Sequence, residues 1–441
     1  MRSRSEKGGG SFAGIKLLLC ENPLPPIEEA IAAGQSEVPR SNYYTEAHSA
    51  PLRRLISAQL GVPERLIHIN AGSELILRQP FDRFGEQVHL LTPTYPLFPE
   101  IARRWSETRL LPERDFAFDL AWLSIPEGTM LAVIVNPNNP NGGTFDMAPL
   151  PGLLERYPRT RFLVDEAFIG LAGRSVAALV PEHPNLLVTR TLSKAHSLAG
   201  FRVGYAVLPE AIADDLNAHN DAYPLARPSE AAAIATLEHE DQIRARAARL
   251  RAWTEALAAQ LRGIGVRTFP SETYFFLADF APYDAGTLAR ALADRGILVK
   301  PLGDAHLGPG YMRVTTALPE DNARFVAALR ELLTASPKEP QMTTRAVNLE
   351  AALRDPASAF AAPEEIAAHA GLTREQKIEI LRLWEYDAAE AEVATEEGMP
   401  GGNGDLLQRI LLALDGLGAA DAGDTGPTKQ HALLRHRAGR K

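Results

Sequence analysis

The sequence predicts an alternating α/β fold, and three observations carry that prediction. Short apolar runs at residues 66–69, 88–91, 130–135, 161–164 and 185–189 have the length and character of buried parallel strands. Helix-length segments separate them, and each of the later four is followed by polar, small or hydroxyl residues. In open α/β sheets that is where ligands sit, beyond the carboxyl ends of the strands.

The bulk composition narrows the class. With 441 residues, 45% hydrophobic and 23% charged, the chain has an ordinary globular balance and room for two or three cores. A net charge of -9, with no basic stripe carrying interleaved aromatics in its first three quarters, excludes nucleic acid as an expected partner there. No apolar run reaches the length of a membrane span, so no membrane association is expected. The single cysteine, Cys20, rules out an internal disulfide framework and fits a reducing, cytoplasmic setting. Leu19 stands where a lipoprotein cleavage site wants a small residue, so Cys20 is not read as a lipid anchor.

Residues 1–14 are Gly, Ser and charge without periodicity and read as a mobile arm. Residues 15–40 read as a strap joining the smaller domain. In it Glu21-Asn22-Pro23-Leu24-Pro25-Pro26 fixes an extended path and leaves the Asn22 amide free to point at another group. Residues 41–228 form the expected large domain. A helical pattern over residues 50–60 precedes the first strand, which runs into Asn70-Ala71-Gly72-Ser73 and another helix. A strand, a small-residue turn and a helix start bring backbone N–H groups together to cradle phosphate.

The chemistry centres on residues 189–205, where Lys194 sits among small and hydroxyl residues and Arg202 follows eight positions later. A partly desolvated lysine loses basicity and forms a Schiff base with an aldehyde. Thr191, Ser193 and Arg202 offer charge-assisted hydrogen bonds to a dianionic phosphate. An aldehyde that carries a phosphate points to pyridoxal 5'-phosphate. The other strand ends supply what that ring needs: Asp165 to keep a pyridine nitrogen protonated, Asn139 to hydrogen-bond a phenolate oxygen, and Tyr95 to stack. Taken singly these residues suit a helix cap, a turn and core packing; their joint order argues for one site.

From about residue 229 helical patterns dominate, including a long helix through Leu261. Strand-like runs at 265–269, 274–278, 297–300 and 312–315, with a helix near 285–294, complete a smaller α/β domain ending at 334. Arg313, in its last strand, suits a substrate carboxylate. Residues 335–345 read as a linker, and 346–416 as a small all-α unit. There Thr373-Arg374-Glu375-Gln376 is a capping box, and Ile378, Leu381, Trp384, Ile410, Leu411 and Leu414 form an apolar face, either its own core or a docking surface for a protein partner. A Gly/Ala-rich tail, 417–441, ends in basic residues and reads as disordered.

Glu21-Asn22-Pro23, Pro93-Thr94-Tyr95, Asn136-Pro137-Asn138-Asn139-Pro140, Asp165-Glu166-Ala167 and the stretch from Arg190 to Tyr205 stand in the order of a known family. From about Leu17 to Leu333 the chain resembles fold type I pyridoxal-phosphate enzymes, in particular the histidinol-phosphate aminotransferase-like branch. The resemblance implies a mostly parallel seven-stranded sheet flanked by helices. It implies Lys194 as Schiff base and proton shuttle, and Gly72, Ser73, Thr191, Ser193 and Arg202 around the phosphate. Arg313 would hold the substrate carboxylate, with Asn22 assisting. Tyr44, in Asn42-Tyr43-Tyr44, would reach the cofactor phosphate of a neighbouring subunit, which implies a homodimer with shared sites. Amino acid and keto acid substrates are expected, and no metal.

Three positions depart from that family, and the Gly72-Ser73-Glu74-Leu75 turn looks one acidic residue shorter than the family's. Phe168 replaces the tyrosine after Asp-Glu-Ala, as in threonine-phosphate decarboxylase relatives. Lys300 stands for an arginine that faces the substrate side chain or its phosphate, and Tyr274 for an asparagine. A point charge replaces a planar fork at Lys300, which favours generic amino-acid transamination. The alternatives are an amino-acid phosphate decarboxylase with the same cofactor, and a regulatory protein that recruits a partner through its helical extension.

Overall fold

The computed structural model describes residues 14–303, 306–334, 349–354, 356–360, 362–369, 371–396, 409–410, 413–414 and 417. The described residues divide into two compact units, one holding residues 14–334 and one holding those from 349 onward.

In the first unit β1 (Ile15–Lys16) belongs to the smaller domain. The large sheet is built from β2 (Ile67–Ala71), β3 (Val88–Thr92), β4 (Trp105–Arg109), β5 (Leu131–Val135), β6 (Arg161–Asp165), β7 (Leu186–Thr191) and β8 (Val203–Val207). Their order is β2-β8-β7-β6-β5-β3-β4, and β8 runs antiparallel to both neighbours while the remaining pairs are parallel. The expected seven-stranded, mostly parallel sheet is present. Its strands read as continuous apolar runs because both faces are covered. Ala132, Ile134, Phe162, Val164, Leu186 and Val188 enter one core, and Leu131, Val133, Val135, Leu163 and Leu187 the other. Two strands went unread in the sequence: β4, a half-exposed edge strand of sequence WSETR, and β8, which lies inside the lysine motif.

The smaller domain adds β9 (Arg267–Thr268), β10 (Phe275–Asp279), β11 (Ile297–Leu298), β12 (Lys300–Pro301) and β13 (Tyr311–Thr315). Its antiparallel sheet has the order β12-β13-β10-β9, and β1 pairs with β11. The long helical pattern is two helices, Arg227–Glu238 and Glu240–Arg262, parted at His239. Along β13 the side chains alternate: Met312 and Val314 enter the small domain's own core, and Tyr311 enters the larger one. By that period-2 alternation Arg313 shares the face of Tyr311. The strap makes the same crossing, with Ile15 and Leu17 in the small core and Cys20 in the large one.

The second unit packs helices Leu349–Arg354, Pro356–Ala359, Pro363–Ala368 and Arg374–Glu396 around Phe360, Ile366, Ile380, Leu381, Trp384, Ile410 and Leu414. The expected apolar face therefore has a core of its own. The capping box forms: Thr373 N–H donates to the Gln376 side chain at 2.8 Å, and Gln376 N–H to Thr373 Oγ1 at 3.3 Å. Nearly all of the N-terminal arm, the whole linker, Leu411 and nearly all of the tail lie outside the described residues. Among the described residues no helix is long and apolar enough to cross a membrane.

Candidate active site

Every sequence-predicted site residue of the large domain except Tyr44 lies at or just beyond the carboxyl end of a strand, or at the turn after β2 or β7. Asp165 closes β6, paired in register with Thr189 of β7, whose hydroxyl donates to its carboxylate at 3.1 Å. Ala167 N–H donates to the same oxygen at 3.2 Å. Burial dominates over these bonds and pushes the Asp165 carboxyl up to about 6. Lys194, three residues past β7, sets its charge against Asp165.

Burial lowers the basicity of Lys194, and the nearby Arg313 and Arg202 act in the same direction. Its Nζ donates to the carbonyls of Leu19 at 3.1 Å and Cys20 at 3.2 Å and lies 5.7 Å above the Phe168 ring. The Asn22 amide points at the lysine loop. Its Nδ2 donates to the carbonyls of Lys194 and Ala195 at 3.0 and 3.3 Å, so it fastens the strap to the lysine loop. From the other side, buried His196 pairs with Glu240, the first residue of the long helix, at 2.9 Å.

The turn after β2 is shaped for an anion. Gly72 has φ +89°, and a Cβ there would lie 2.9 Å from the Arg202 guanidinium carbon. Gly204 in turn admits the backbone of Gly72 and Ser73. Arg202 is thus brought to the N-terminus of the helix Ser73–Phe84, where free N–H groups and the helix dipole favour negative charge. Thr191 and Ser193 are buried nearby in sequence, their hydroxyls bonded at 2.9 Å. This set of donors fits a phosphate.

Tyr95 packs edge-on against Phe98 at 5.7 Å. Burial, with the charges of Glu74 and Asp165, pushes its hydroxyl up to about 12. Asn139 is buried, and its Oδ1 accepts from Arg313 Nη1 at 2.8 Å, while Arg313 Nη2 donates to the Leu18 carbonyl at 2.6 Å. Arg313 lies on an inner strand, between β12 and β10, and is only 8% exposed. Lys300 is its cross-strand partner, so the two cations share a row on one face. Tyr44 stands apart, exposed and stacked on Tyr223 at 4.4 Å. Sequence reasoning missed the three carbonyls of Leu18, Leu19 and Cys20, since backbone acceptors have no residue-type signature. A cavity of about 330 Å³ lined by Lys16, Glu21, Asn22, Ser193, Ser197 and Thr316 adjoins this strap.

A sheet in this order with a half-buried lysine beyond its strand ends defines a fold type I pyridoxal-phosphate enzyme. The family model for aminotransferase class I and II matches residues 15–329, and the chain belongs to that family. It is 33% identical over 329 residues to histidinol-phosphate aminotransferase 1 of Pseudomonas aeruginosa, covering 72% of this chain and 92% of that one. Among solved structures it is similar to a histidinol-phosphate aminotransferase of Sinorhizobium meliloti in complex with pyridoxal-5'-phosphate, with a TM-score of 0.66, 24% identity and coverage of 72% and 90%. An L-threonine-O-3-phosphate decarboxylase of Porphyromonas gingivalis shares the fold, with a TM-score of 0.65, 20% identity and coverage of 72% and 99%. The chain is a pyridoxal-phosphate-dependent aminotransferase.

Proposed function

We propose that Lys194 carries the cofactor and acts as the proton shuttle in transamination of an amino acid or an amine derived from one. The observation that carries this reading is the environment of Lys194: an amine of lowered basicity, fixed between the strap and Phe168, on the sheet that ends in Asp165. When bound, pyridoxal phosphate supplies the aldehyde that receives the amino group and a ring that stabilises charge at the donor's α-carbon.

The chain's own residues do the rest. Gly72, Ser73, Thr191, Ser193 and Arg202 hold the phosphate, Asp165 keeps a pyridine nitrogen protonated, Asn139 donates to the phenolate oxygen and Tyr95 stacks on the ring. Arg313 exchanges its Leu18 contact for the donor's carboxylate, with Asn22 bracing the lysine loop. Lys300, in the same row, meets the far end of the substrate. Lys194 Nζ takes the α-proton and gives it back further along.

Tyr44 serves the phosphate of a second subunit, which makes the enzyme a homodimer with shared sites in the cytoplasm. Its outward exposure, 76%, supports that role, because it lies on the surface where a second copy can be reached. The relative from Pseudomonas is named for histidinol phosphate, and that amine belongs in any donor panel. A panel of donors with 2-oxoglutarate as acceptor tests the reading: a keto acid or aldehyde product from one donor supports it.

Phe168 favours a second reading, decarboxylation of an amino-acid phosphate. It is buried, T-shaped against Tyr274 and Phe275, and presents no hydroxyl to the cofactor. Carbon dioxide release without a keto acid would decide for that reading.

A further inference from the structure

We propose that Tyr274 is a positioning residue for Lys194, acting through the carbonyl of Cys20. The proposal rests on the reading that Lys194 carries the cofactor.

Three consecutive carbonyls of the strap are taken up by the two cations of the site: Leu18 by Arg313, and Leu19 and Cys20 by Lys194. In an extended chain successive carbonyls point to opposite sides, so one amine does not reach two neighbours. Here the chain turns at Cys20, which adopts φ +49°, a left-handed conformation for a residue with a Cβ. Such a conformation persists only where its surroundings hold it.

Tyr274 supplies the hold. Its hydroxyl donates to the Cys20 carbonyl at 2.7 Å, on the same oxygen that receives Lys194 Nζ. The residue is fully buried, and its backbone carbonyl is anchored by Thr316 N–H at 2.8 Å. Its ring packs T-shaped on Phe168, 6.1 Å away, and Phe168 lies beneath the lysine. Packing alone would be served by phenylalanine. A hydroxyl in so buried a place is tolerated because it is bonded, and the bond it makes fixes the peptide that holds the catalytic amine.

The consequence falls on the proton of Lys194. Burial works against the ammonium form, and the two carbonyls, by accepting its hydrogen bonds, work for it. Other groups face the amine: Glu21 and the Cys20 thiol from the strap, Arg313 from β13, Arg202 from the turn after β7, and Asp165 from β6. Tyr274→Phe leaves all of these in place and releases the Cys20 peptide, so the amine becomes easier to deprotonate.

The test uses the full chain stripped of cofactor. Capture of pyridoxal phosphate, in which the amine adds to the aldehyde and water leaves, is followed by visible absorbance from about pH 6 to about pH 10. In Tyr274→Phe the midpoint of the rate profile moves to lower pH by roughly half a unit to one unit, and kcat falls while KM for the donor holds. Cys20→Pro, which fixes φ near −65° and so turns the carbonyl away, shifts the midpoint in the same direction and further than Cys20→Ala, which removes the thiol alone. A wild-type midpoint in both Tyr274→Phe and Cys20→Pro would overturn the proposal, whatever happens to stability. Borohydride fixation and peptide mapping of the wild type keep the two levels apart. Label on another lysine defeats the underlying reading, and label on Lys194 with an unmoved midpoint defeats only the role of Tyr274.

Discussion

The guanidinium of Arg202 stands in the space that a Cβ on Gly72 would occupy, and Gly72 itself has φ +89°. Gly72→Ala therefore strains the backbone and displaces the arginine from the helix N-terminus at once. Affinity for pyridoxal phosphate falls roughly 10- to 100-fold, the loss of one or two charge-assisted bonds. Equilibrium titration of the cofactor-free protein measures it, and inorganic phosphate competition weakens in parallel.

Asp165 gives a pH-dependent prediction. Its carboxyl lies at about 6 in the fold against an ordinary value of 3.8, because burial disfavours the charge. The protonated form is thus favoured by folding. That stability is complete below about pH 4 and is lost as the pH rises through about 6. Asp165→Asn removes the penalty, so the cofactor-free variant is more stable than wild type at pH 8, by on the order of 1–3 kcal/mol, and the gap closes toward pH 4. Turnover of the loaded variant collapses over the same range. Thermal melts across pH, beside activity assays, read both effects.

Arg313→Lys keeps the charge and loses the planar fork that now spans Asn139 and Leu18. KM for the donor rises roughly 10- to 100-fold with a smaller change in kcat, as expected for a bidentate carboxylate contact reduced to a point charge.

Tyr44 is tested by mixing subunits. Tyr44→Ala and Lys194→Ala are each expected to be inactive alone; if the enzyme is a dimer whose sites are shared across a two-fold interface, the two co-refolded together regain roughly a quarter of wild-type activity. No recovery beyond the sum of the two would contradict the shared site.

The parts of the fold legible in the sequence were those with two covered faces. β5 and β6 read as unbroken apolar runs because alternate residues enter different cores, and the polar residues that follow them mark the candidate site. The edge strand β4 escaped notice since WSETR meets solvent on one side and has no such run. Within the site, residue types that carry chemistry, such as Lys194, Asp165 and Arg202, were visible. The backbone acceptors of the strap were not, and Tyr274 registered only as a departure because its role depends on where the Cys20 carbonyl lies. The run of prolines shows that the Asn22 amide is presented to another group; that the group is the lysine loop depends on tertiary contact and is not written in the local sequence.

The central claim is that Lys194 is the residue through which this enzyme works, and one experiment addresses it directly. Purified wild type and Lys194→Ala are loaded with pyridoxal phosphate, and their visible spectra are recorded before and after a panel of amino donors that includes glutamate and histidinol phosphate. The account predicts a cofactor band in the wild type that one donor converts, with release of the matching keto product. It predicts neither conversion nor turnover in the variant, a loss of at least roughly 10³-fold. Turnover retained in Lys194→Ala would contradict it.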